Sequence, residues 1–217
     1  MDRRDFTVGA ASAVAAASLG LPGLAFAQAF KAEDGADFKT LDKKVATEAP
    51  AGKVEVVEFF WYSCPHCNAF EPQLEAWSKR LPADVVLRRV PVAFRDDFVP
   101  QQRLFYTLEA MGKLPELHGK VFQAIHVDKQ PMNKQDAIVA WAEKNGVDRG
   151  KFLELYNSFS VSTKASRAKQ LQEGYQVEGV PALGVAGRYY TDGTLARNMP
   201  RALQVAEYLV AEARKSR

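Results

Sequence analysis

Hydrophobic and polar positions follow two different periods along this chain. Val54 to Tyr62 is a run of β-branched and aromatic residues interrupted only by Glu55 and Glu58, which predicts a buried strand. Directly after it, Phe70, Leu74 and Trp77 recur at helical spacing, and Pro82 ends that helix near Arg80. Val85 to Val92 predicts a second strand, and a strand, helix and strand of this length form a right-handed crossover with parallel strands. From Pro100 to about Gln176 the apolar residues fall on helical stripes. Leu104, Leu108 and Met111 make the first, and Leu117, Val121, Phe122 and Ile125 the second. Ile138, Trp141 and Ala142 follow an Asn133 cap, and Phe152, Leu153, Tyr156 and Phe159 follow Asp148. Such stripes read as core rather than as a cofactor pocket. Alternation returns at Ala182 to Ala186, with Gly187-Arg188 as a turn and Tyr189-Tyr190 as the return strand. Asn198 opens a last helix through Val205, Tyr208 and Leu209. With an edge strand near Phe38 to Leu41, the layout is β-α-β, a block of helices, then β-β-α.

The first residues belong to a different class. Arg3-Arg4 precede an Ala- and Gly-rich apolar run, and Ala25-Phe26-Ala27 has the small-residue pattern of a cleavage site before Gln28. Residues 1–27 are therefore expected to be an export signal, by the twin-arginine or the general route, rather than a retained membrane anchor. The remaining chain is long enough to bury a core, with 47% hydrophobic residues overall. A net charge of +3 with no long basic run leaves no electrostatic footprint for a nucleic-acid partner.

Both cysteines, Cys64 and Cys67, lie where the first strand passes into the helix. Exported proteins usually spend cysteines on structural pairs, but a bridge between residues three apart closes a very small loop and gains little chain entropy. Haem attachment would need His where Asn68 stands, and a structural zinc site would need a second ligand pair that His66, His118 and His126 do not supply. His118 and His126 read as surface or helix-face residues. What remains is a redox pair at a helix N-terminus, where partial positive charge favours a thiolate at Cys64 and Pro65 is tolerated in the first turn.

Glu58-Phe59-Phe60, Cys64-Pro65-His66-Cys67 and Gly179-Val180-Pro181, in this layout, resemble the DsbA family of periplasmic dithiol oxidases. The resemblance covers essentially the whole exported chain. Pro-His inside the cysteine motif separates that family from thioredoxin, which has Gly-Pro, and Val180 stands where disulfide isomerases usually carry Thr. It implies an α/β thioredoxin-like fold in two parts, 28–96 and 169–217, around a helical insertion at 97–168. It also implies that Cys64 is the attacked sulfur and Cys67 its partner, with no cofactor beyond their disulfide and no metal. His66 and Pro65 would tune the Cys64 thiolate, and Val180 would pair with substrate beside a cis Pro181. For Glu58, its own position allows an outward-facing edge residue or a buried acid; the resemblance implies the acid, relaying the proton of Cys67. The implied partners are exported proteins with reduced cysteines and a quinone-linked membrane oxidase of the DsbB type. A periplasmic monomer follows, since no dimerisation segment precedes the fold. A disulfide isomerase or reductase of the same fold, or a non-catalytic peptide-binding module, are the alternatives.

Overall fold

Val54–Phe60 (β2) is buried at all seven positions and is an inner strand of a five-stranded sheet. Strands of this kind read as continuous apolar runs because both faces are covered. Its neighbours are Val85–Pro91 (β3), parallel to it, and Ala182–Val185 (β4), antiparallel. Tyr189–Asp192 (β5) and the two-residue edge strand Lys39–Thr40 (β1) complete the order β1-β5-β4-β2-β3. The computed structural model describes residues 30–216, so the expected signal at 1–27 lies outside the described residues.

Between β2 and β3 runs Pro65–Ser78 (α1), which buries Cys67, Phe70, Leu74 and Trp77 along one side. Five helices separate β3 from β4: Val99–Ala110 (α2), Leu114–His126 (α3), Gln135–Lys144 (α4), Arg149–Tyr156 (α5) and Phe159–Gly174 (α6). Met199–Lys215 (α7) follows β5, and its N-cap Asn198 accepts a hydrogen bond from Arg201 N–H. Among the described residues no helix is long and apolar enough to cross a membrane.

Apolar packing is divided between the two sides of the sheet. Val54, Val56, Leu74 and Trp77 meet Leu183, Val205 and Leu209 on the α1 and α7 side, while Val57 and Phe59 pack under the helical block with Leu104, Phe152 and Tyr175.

Four local expectations change. Phe159 does not continue the stripe of α5. The Ser158 hydroxyl accepts from Val161 N–H and starts a new helix there, leaving Phe159 87% exposed. The cap before α4 is Lys134 rather than Asn133, and its side chain makes no capping bond. The hairpin turns at Ala186-Gly187, one residue early. Both have positive φ (55° and 68°), and a Cβ on Gly187 would lie 2.0 Å from Val45 O, so only glycine fits. His118 and His126 are not surface residues in the sense expected: His118 is 8% exposed, and both bind the segment that leads to Cys64.

Candidate active site

Strand β2 ends at Phe60, and residues 61–63 carry the chain to Cys64, which caps α1. Its Sγ accepts from Cys67 N–H at 3.4 Å and lies 3.4 Å from Val180 O, toward which the thiol donates. Both cysteines carry free thiols. The Val180–Pro181 bond is cis, with Pro181 buried and Val180 half-buried. Cys64, Cys67, Val180 and Pro181, far apart in sequence, therefore meet at one place. Pro65 and His66 face outward beside them.

The two sulfurs differ electrostatically. A hydrogen bond from the Cys67 thiol, then the N–H groups of Cys67 and His66 and the charge of His66, draw the Cys64 thiol down to about 6 against the opposing effect of burial. Burial, followed by the nearby Cys64 sulfur and Glu58, holds the Cys67 thiol far above the ordinary range. Cys64 is itself buried. It is 6% exposed against 1% for Cys67, which makes it only the more reachable of the two.

Glu58 lies on a central strand and is 1% exposed, so the edge reading fails. Burial, and then the charge of Glu71, push its carboxyl up to about 8 despite Arg89. Arg89 Nε is 3.3 Å from Glu58 Oε2 as an ion pair, and neither Glu58 oxygen nor that nitrogen makes a hydrogen bond. Arg89 also binds Glu71 at 2.7 Å and Glu75 at 3.3 Å. Arg89, Glu71 and Glu75 line a cleft of about 730 Å³ between α1, β3, α2 and α3. Arg89 was missed, although a signal existed. Counted from Val54 and Val85, Glu58 and Arg89 hold the same place in two parallel strands, and they are register partners.

Other members come from the helices and carry no motif. Tyr62 OH bonds His118 Nδ1 at 2.8 Å, and His118 Nε2 lies 3.5 Å from Glu71 Oε2. Trp61 stacks on Phe98 with ring centroids 3.8 Å apart, and the partly exposed Phe94 meets Phe98 edge-on.

A family model described as a DSBA-like thioredoxin domain matches residues 85–204. The chain is 44% identical over 207 residues to the thiol:disulfide interchange protein DsbA of Bordetella parapertussis, covering 95% of each. Its likeness to the protein of that name from Pseudomonas aeruginosa PAO1 is 40% over 192 residues, 87% of this chain and 90% of the other. The crystal structure of Pseudomonas aeruginosa DsbA superposes with a TM-score of 0.80, covering 84% of this chain and 94% of that one at 40% identity. The oxidoreductase DsbA of Xylella fastidiosa gives 0.79 at 29% identity, covering 85% and 98%.

Proposed function

The chain belongs to the DsbA family of thiol:disulfide oxidoreductases, and from that premise we propose that Cys64 and Cys67 are its redox pair and that it oxidises exported proteins in the periplasm. The observation that carries this reading is the asymmetry of the two sulfurs, one drawn down to about 6 and the other held far up. In the disulfide form a substrate thiolate attacks Cys64 Sγ, and the electron pair of the Cys64–Cys67 bond leaves on the Cys67 sulfur. That sulfur is a poor anion in its apolar surroundings and takes a proton, for which the buried Glu58 carboxyl is the nearby source. A second substrate thiolate then attacks the substrate sulfur of the mixed disulfide, and Cys64 departs as a stabilised thiolate. Two substrate thiols lose two electrons, and the enzyme is left as a dithiol.

Val180 sets its carbonyl beside Cys64 Sγ, and its backbone suits pairing with an extended substrate segment. His66 supports the thiolate from the solvent side. The dithiol must be reoxidised, a task for a quinone-linked membrane oxidase of the DsbB type. The experiment that tests the roles is a pair of variants mixed with a disulfide-bonded substrate peptide. Cys64→Ser is expected to form no mixed disulfide, whereas the Cys64 thiolate of Cys67→Ser attacks the substrate disulfide, releases one substrate thiolate and stays in the mixed disulfide because no Cys67 is there to displace it. Equal trapping by both variants, or a redox potential close to that of a disulfide reductase, overturns the reading.

A further inference from the structure

The dipeptide Tyr62-Ser63 belongs neither to β2, which ends at Phe60, nor to α1, which starts at Pro65. It is nevertheless tied at four points, and every tie comes from the helical block. His126 Nε2 donates to Tyr62 O at 2.8 Å, which requires that nitrogen to carry its proton, since a carbonyl only accepts. His118 Nδ1 meets Tyr62 OH at 2.8 Å. Gln101 Oε1 accepts from Ser63 N–H at 3.2 Å, and Gln101 Nε2 donates to Ser63 Oγ at 2.6 Å. The same amide is oriented by a bond to Met132 O at 3.0 Å. Gln101 is 2% and His118 8% exposed. Buried polar side chains are costly unless bonded, so a design that spends them on one dipeptide is holding that dipeptide in place.

We propose that Gln101, His118 and His126 are positioning residues for the redox reaction, which hold the Tyr62-Ser63 step and through it the Cys64 sulfur. This rests on the reading of Cys64 as the attacked sulfur. Cys64 is the next residue, and its thiolate is stabilised by the Cys67 N–H at 3.4 Å, a contact that weakens quickly with displacement. In the oxidised protein the bond to Cys67 itself holds Cys64. In the reduced protein no covalent bond does, and the grip of α2 and α3 takes over. Loosening it therefore destabilises the dithiol more than the disulfide and makes the protein a weaker oxidant.

The test measures two quantities on purified variants: thiolate absorbance against pH, and the equilibrium with glutathione. His126→Leu removes the donor to Tyr62 O. It is expected to raise the Cys64 titration midpoint and to shift the glutathione equilibrium about five-fold toward oxidised protein, about 20 mV at 29.6 mV per factor of ten. His126→Gln places an amide N–H at similar reach and should restore both. If His126→Leu does not fold, Tyr62→Phe carries the test with the same readouts and an expected shift of about two-fold, because it keeps the ring and removes only the hydroxyl. Variants that melt lower in both redox forms by equal amounts, with potential and titration unchanged, overturn the proposal and leave the three residues as fold supports. Wild-type protein whose thiols titrate like ordinary cysteines would instead overturn the assignment of Cys64, whatever the variants do.

Discussion

The two sides of the central sheet are built from different materials. On one side α7 buries Ala202, Leu203, Val205, Ala206, Leu209, Val210 and Ala213 and no polar residue. On the other, α2, α3 and α6 bury Gln101, Gln102, Thr107, His118 and Gln172 among their apolar residues. The polar ones are not scattered. Gln102 Nε2 donates to Pro91 O, Gln172 Oε1 accepts from Ala93 N–H, and Gln101 and His126 hold Ser63 and Tyr62. All four reach the chain where it leaves the ends of β2 and β3, beside the cysteine pair. A sheet face supplies binding energy through apolar contact alone, whereas an irregular segment has backbone groups that must be bonded by something. Helix α7 supplies stability; the helical block supplies stability and also fixes the loops that carry the chemistry.

The sharpest way to break this contrast is Leu209→Ala. The residue is fully buried, so the change should cost about 2–5 kcal/mol in denaturant unfolding, equally in both redox forms, with the potential unmoved. A potential that shifts with it would mean that the two sides are not separable. Gln102→Leu should cost less, about 1–3 kcal/mol, since it leaves the buried Pro91 carbonyl without its 2.8 Å donor. Its signature is local: amide exchange should rise around 91–94, and Leu209→Ala should not reproduce that pattern.

The charged cluster gives a pH test. With the Glu58 carboxyl pushed from 4.5 up to about 8 by burial, the folded protein keeps a proton that the unfolded chain has lost between those values. Stability from this group is present below about 4.5 and is lost as pH rises toward 8, with a slope of at most about 1.4 kcal/mol per unit. Glu58→Gln cannot ionise, so its stability should fall less over that range than that of wild type. Equal slopes in the two proteins would show that Glu58 is ionised when folded. The smallest effect is expected from His66→Ala. His66 is exposed, and its charge comes last among the influences on Cys64, so the potential should become more reducing by about 20 mV or less. A larger shift than that of His126→Leu would move the control of the site from the buried side to the solvent side.

Periodicity and local motif alone determined the strands β2 and β3, the helices' apolar stripes, the α7 cap at Asn198 and the place of Cys64 before a helix, because each depends on residues a few positions apart. The family resemblance added Val180-Pro181 and the acid role of Glu58, which spacing left open. Tertiary structure decided the rest. Glu58 and Arg89 pair only because β2 and β3 align in parallel register, and Arg89 in turn gathers Glu71 and Glu75 from α1. His118 and His126, eight positions apart and without a metal-like spacing, become partners of Tyr62 only when α3 packs against the end of β2. Hydrophobic period records which face of an element is buried, not which buried polar group meets which. That pairing is set by how the elements cross, at separations of 56 and 64 residues here, where a single sequence leaves no periodic trace.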